Sequence, residues 1–184
     1  MDLFLIILIS LVIICLLYFI IMYNSFVKQG VLVDEAFSTM DVFLKKRWDL
    51  IPNLVEVVKG YAKHEKDTLS EIAKLRENVY DNMSNSDKID VNEKLTGEIT
   101  KLIAIAEAYP ELKANDNFLS LSGNLTKIED EIAQSRKYYN AVVREFNIKV
   151  KTIPSCLVAK LLNIKEKKMF EAKEFEKNDV KVAL

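Results

Sequence analysis

The chain has 184 residues, with 26 Lys plus Arg against 27 Asp plus Glu and a net charge of −1, so no overall field draws it to nucleic acid. Cys15 and Cys156 lie at opposite ends of the sequence and read as inert thiols, and a histidine-based metal site or Ser-His-Asp arrangement would have to be built around His64 alone. His64 has no suitable neighbours, so no cofactor, metal or small-molecule substrate is expected. Four glycines and three prolines leave little material for sheet turns and point to an all-α chain of long helices.

In chain order, Leu3 to Met22 is apolar apart from Ser10. As a helix it reaches roughly 30 Å, the thickness of a bilayer's hydrocarbon core. A cleaved signal peptide would want a cationic start, a shorter apolar stretch and small residues at its cleavage site. Here Asp2 is acidic, Tyr23-Asn24-Ser25-Phe26 follow the run, and Ile14 precedes Cys15 where a lipoprotein site needs a small residue. Residues 1–24 are therefore read as a retained single-pass anchor. Lys28, Lys45, Lys46 and Arg47 follow it with no Lys or Arg before, which predicts an outside amino terminus and a cytoplasmic body.

From Val33 a seam through Phe37, Met40, Leu44, Arg47, Ile51, Leu54, Val58, Tyr61, Glu65, Thr68, Ile72, Leu75 and Val79 steps by threes and fours, predicting one helix to about Tyr80. Pro52 falls inside it, predicting a kink, with two abutting helices as the alternative. The polar stretch Asp81 to Asp87 reverses the chain. A second helix runs from about Val91 to Tyr109, stopped or bent at Pro110, and Asn115 or Asp116 caps a third whose seam runs from Phe118 through Leu125, Ile132 and Tyr139 to Lys149. Pro154 ends that helix, residues 155–162 make a short closing one, and 166–184 look loosely ordered. The expected architecture is the anchor, then an antiparallel up-and-down bundle over residues 25–165 with three long helices and a short fourth. The predicted first helix, about 85 Å beyond the anchor, is much longer than the second at about 30 Å. Its lower part is left to bind another copy, a partner or the juxtamembrane surface unless it breaks near Pro52.

The runs Lys45-Lys46-Arg47-Trp48-Asp49-Leu50-Ile51-Pro52-Asn53, Gly60-Tyr61-Ala62-Lys63-His64-Glu65, Glu107-Ala108-Tyr109-Pro110-Glu111-Leu112-Lys113-Ala114-Asn115 and Arg136-Lys137-Tyr138-Tyr139-Asn140 resemble the LemA family, and the resemblance extends from the anchor to about Glu174. It implies a small bacterial membrane protein with a helical soluble part and no established enzymatic activity. A magnetosome-associated branch of that family implies, by analogy, a role in organising membranes. Leu162-Asn163 departs from the family's usual aromatic-Gly pair, and no Gly/Ser-rich tail follows.

Among the polar residues, Asp49, Asn53 and Glu56 share one helical face, and Arg136, Asn140 and Asn147 share another. If the faces meet they form a ladder that sets bundle register or a recognition groove; otherwise they face solvent. Arg47 and Glu65 sit on the apolar seam, too far apart to pair, and each needs a partner from another helix. Tyr61, Tyr109, Tyr138 and Tyr139 are expected in or near the core rather than as a binding cage, and His64 on a solvent-facing helix. Lys160, Lys165, Lys167 and Lys168 surround Leu161, Leu162, Ile164, Met169 and Phe170, either a closing helix with solvated lysines or a patch that touches anionic lipid.

No clustered acid, base or nucleophile can be assembled, so an enzyme is not expected. The function anticipated is a membrane-anchored scaffold or adaptor that contacts the bilayer and binds a protein partner or a second copy through its first helix. An accessory subunit of a membrane protease or quality-control system is an alternative, as is a membrane-remodelling or lipid-binding protein.

Overall fold

Residues 2–62, 65–77 and 79–170 are described by a computed structural model, and every regular element among them is helical. The first, α1 (Asp2–Tyr61), is one continuous 60-residue helix that runs through Pro52 without ending. Its apolar beginning has the length and composition to cross a membrane, and it is exposed until Tyr18, Phe19 and Met22, which are partly buried against the protein core. Farther along, Phe26, Val33, Phe37, Met40, Leu44, Trp48, Ile51, Leu54 and Val58 are buried. The spacings of three and four keep them on one stripe, so α1 is at once the membrane span and the spine of the bundle.

After Ala62 the chain doubles back. Helix α2 (Lys66–Leu75) packs against α3 (Asn85–Ala108), with a 3₁₀ turn at Tyr80–Asn82 between them. That turn lies beside Trp48, whose ring is 5.2 Å from that of Tyr80, so between residues 61 and 80 the chain has descended past much of α1. Helix α3 then climbs parallel to α1: Lys88 meets Asp41, Asn92 meets Arg47, and Asn115 reaches Tyr61. Ser84 caps it by accepting the Asp87 N–H. Short α4 (Pro110–Lys113) turns the top, with Pro110 in the first-turn position its fixed φ suits. Asn115, accepting the Phe118 N–H, caps α5 (Asp116–Lys151). Helix α5 descends against α1, with Tyr139 beside Phe37, Phe146 beside Phe26, and Lys149 hydrogen-bonded to Ser25.

The bundle is therefore up-down-up-down in four courses, where the apolar seam predicted three. The predicted first helix is two, α1 ending at Tyr61 and α2 beginning at Lys66, which reverses the directions expected for the two that follow. Glu65 consequently leaves the α1 seam: it is half-buried at the start of α2 and makes no capping hydrogen bond. His64, expected on a solvent-facing helix, lies outside the described residues.

Past α5, α6 (Ser155–Leu161) packs on α1 and α5. It ends in a Schellman turn: the Ile164 N–H bonds Ala159 O, the Asn163 N–H bonds Lys160 O, and Asn163 takes φ 52°. Asn is the residue after Gly that best tolerates this left-handed conformation, so the turn forms without the glycine of the family pattern.

Residues 164–170 then climb back along α5. Asn147 accepts the Lys167 N–H and donates to the Lys167 carbonyl, Asn140 does the same with Phe170, and the Tyr139 hydroxyl donates to Lys168 O. Two helical turns rise about 10.5 Å and three extended residues span about 10 Å, so asparagines seven apart on α5 match backbone groups three apart on the strap. Residues 166–170, expected to be loose, are thus tied down, and Phe170 is buried. The remainder of that predicted tail, 171–184, lies outside the described residues.

Candidate functional site

Helices α3 and α5 both pack on α1 but scarcely on each other, and a groove of about 710 Å³ opens between them. Its walls are Ile99, Ile103 and Ala106 on one side and Phe118, Leu125 and Ile132 on the other; Lys113 stands at one end and Phe170 of the strap at the other. Arg47 forms part of the lining from α1.

Arg47 is 2% exposed and its guanidinium joins three helices. Nη1 donates to both carboxylate oxygens of Glu129 at 2.8 and 3.0 Å and to Thr96 Oγ1 at 3.0 Å. Nη2 donates to the Asn92 carbonyl at 3.0 Å and to Asn92 Oδ1 at 2.8 Å. Asn92 in turn donates through Nδ2 to Lys88 O, and Thr96 to Asn92 O. A buried charge is tolerated only when paired and hydrogen-bonded, and this one is paired with Glu129 at the groove. One and a half turns lower on α1, Asp41 accepts the Tyr80 hydroxyl at 2.7 Å and Lys88 Nζ at 2.6 Å. Burial, followed by the Asp41 carboxylate, pushes the Tyr80 phenol well above its ordinary range, so it stays a neutral donor.

Asn92, Thr96 and Glu129 were not among the residues the sequence singled out. The signal was present for Asn92, which interrupts the apolar series Ile89, Leu95, Ile99 and Leu102 on the buried face of α3. It was present for Glu129, which follows Leu125 by four on α5.

The predicted ladder does not form. Helix α5 is opposite Arg47 at Glu129 and opposite Phe37 at Tyr139, so Asn53 and Asn140 stand about 25 Å apart along the bundle. Asp49 is exposed and pairs with Lys45 on its own helix at 2.7 Å. Asn53 and Glu56 are exposed, beside Asn117, Ser120 and Leu121 in a shallow depression. Arg136 lines the α3–α5 groove, while Asn140 and Asn147 hold the strap. The tyrosines are dispersed as well: Tyr139 is buried, Tyr109 half-buried, and Tyr61 and Tyr138 exposed. The expected basic patch is divided. Lys168 turns to Asp90 and Phe170 into the core, while Lys160, Leu161 and Lys165 stay outside. Among the described residues, no group of three His, Cys, Asp or Glu side chains is placed to hold a metal.

Comparison with known proteins matches the LemA family over residues 36–184. The chain belongs to the LemA family. Its LemA-family segment takes in the buried α1 stripe from Phe37 onward, including Arg47 and both groove walls. The chain is similar to Protein LemA of Metamycoplasma hominis, 26% identical over 85% of this chain and 72% of that one. It is also similar to Magnetosome protein MamQ 2 of Paramagnetospirillum magneticum and Magnetosome protein MamQ of Magnetospirillum gryphiswaldense, 24% and 23% identical over 82% of this chain. This LemA-family chain spans 65% of the length of each magnetosome relative.

Proposed function

We propose that this protein is a single-pass membrane adaptor whose α3–α5 groove receives an apolar helical segment of a protein partner. The observation that carries the proposal is that α3 and α5 are each fastened to α1 and Arg47 yet leave the space between them open. From Phe118 to Arg136 the groove follows α5 for about 27 Å, some five helical turns. That length suits an amphipathic helix lying in an apolar groove, with Arg47 and Thr96 supplying the polar register mark. The LemA relationship is consistent with a role at a membrane, and the magnetosome relatives direct the search toward partners in membrane-associated assemblies.

We place the bundle on the cytoplasmic side, since Lys28, Lys149, Lys151, Lys160 and Lys165 all stand at the body end of the span. A cysteine at exposed Lys127, in a background without Cys15 and Cys156, should escape an impermeant thiol reagent in intact cells; labelling there reverses the orientation.

A photo-crosslinking residue at Ile103 in the membrane-bound full chain tests the groove. The expected result is a discrete adduct with one protein, absent when the probe is at Lys127 and lost in Leu119→Lys, whose melting should match the parent. Adducts with lipid only, or adducts indifferent to Leu119→Lys, overturn the reading. A second reading, self-association, is favoured by the exposed Val27, Val31 and Val42 on the outer side of α1. A chain-to-chain adduct from Val31 would establish it.

A further inference from the structure

We infer that α6 is a second membrane contact, an interfacial helix that docks on anionic phospholipid beside the span. Helix α5 descends antiparallel to α1 with Phe146 opposite Phe26 and Lys149 bonded to Ser25. Each further residue drops about 1.5 Å, so the chain reaches the level of Met22 near Thr152, before α6 begins. Helix α6 packs on α1, its Val158 and Ala159 join the buried core, and Tyr18, Phe19 and Met22 of the span pack against that same core. It therefore sits against the last turns of the apolar run, at a depth a water-soluble partner cannot reach without entering the bilayer.

On its outer side α6 presents what such a position requires. Ile153, in the turn just before it, and Leu157 and Leu161 on it are 84%, 64% and 74% exposed. Ser155, Val158 and Ala159 occupy the opposite, buried side. Around the apolar group stand Lys160 and Lys165, both exposed and with no ion pair among the described residues, and Lys151, paired with Glu166 at 2.8 Å. Apolar side chains inserted at the acyl boundary with lysines at headgroup level are the makeup of an interfacial helix, and the cations favour an anionic leaflet. The inference needs the span but not the groove, so it stands or falls independently of the partner proposed above.

The test uses the full chain in proteoliposomes, with Leu157→Trp and, separately, Ile153→Trp. Natural Trp48 is buried far up α1 and serves as the internal reference. With phosphatidylglycerol present, the new tryptophans should emit at short wavelength and lose intensity when the acyl chains are brominated, while the parent's emission is unchanged. That loss should shrink in pure phosphatidylcholine and in Lys160→Gln/Lys165→Gln. Water-like, unquenched emission from both positions overturns the inference. So does short-wavelength emission that bromine does not quench, which would mean that protein, a second copy included, covers α6. Quenching indifferent to headgroup charge overturns the anionic preference.

Discussion

Arg47 and Glu129 lie 82 residues apart in sequence and share two hydrogen bonds, at 2.8 and 3.0 Å, across the α1–α5 contact. Because the same guanidinium holds Asn92 and Thr96, a single side chain of the spine sets where both groove walls stand. Arg47→Met should leave Glu129 and Asn92 without their donor and cost about 3 kcal/mol, near the lower end for a broken buried pair because Glu129 is 33% exposed. Glu129→Gln keeps an acceptor for the guanidinium and should cost about 1 kcal/mol. Chemical denaturation of the two variants in detergent checks the order, and equal losses would show that the carboxylate charge is as important as the guanidinium.

Leu54 is fully buried on α1, and Ile132 is 5% exposed on α5. Replacing either with Ala should cost about 2 to 5 kcal/mol, the range for a core cavity whose surroundings relax only partly. Ile132 also lines the groove, so its replacement should weaken partner capture as well, whereas Leu54→Ala should leave capture intact below its lowered melting temperature.

The strap offers a test of local rather than global stability. Asn140→Ala and Asn147→Ala each remove a side chain bonded to both backbone groups of one strap residue, and each should cost about 1 to 2 kcal/mol. Because Phe170 closes one end of the groove, hydrogen exchange should rise at residues 164–170 first, with α1 and α5 still protected. Uniform exchange across the bundle would show that the strap unfolds only with the whole.

Tyr139 gives the chain a defined alkaline limit. Burial, and then the Asp34 carboxylate, raise its phenol from 10.0 to about 12. A phenol that ionises later in the folded than in the unfolded state leaves stability untouched below pH 10, and stability falls as pH climbs from there to about 12. Tyr80, raised in the same direction, acts alike. Helicity followed against pH should therefore hold to about 10 and then decline, less steeply in Tyr139→Phe. A decline beginning near neutrality would assign the sensitivity to other groups.

Much of this architecture was legible before any coordinates. The apolar run announced the span, and the seam phase named the buried α1 residues from Val33 to Val58 correctly because the protein-facing stripe of a long helix is written in its own spacing. Pro110 marked the α3–α4 junction and Asn115 the α4–α5 junction by chemistry that seldom serves elsewhere. The reversal after Ala62 was not legible. Ala62-Lys63-His64-Glu65 contains no Gly or Pro, and Ile72 continues the phase of Val58, so two antiparallel helices imitate one long helix. With the reversal missed, each later helix pointed the wrong way and the two polar faces were set opposite each other. Asn140 and Asn147 were noticed for the right property, a shared face, but their partners are backbone groups, whose positions no side-chain pattern records.

Helix α1 carries the floor of the groove and the crossing of the bilayer on one unjointed rod. Arg47 follows Met22 by twenty-five residues, about 37 Å of helix, so the groove works at a set altitude. A peptide confined to the membrane plane cannot climb to it, whereas a neighbour with a comparable stalk meets it directly. Without a joint, a turn of the span about its own axis is also a turn of the groove's mouth. A bilayer neighbour that rotates the span by one residue's step would swing the mouth through about 100°, presenting it or hiding it without moving any bond within the bundle.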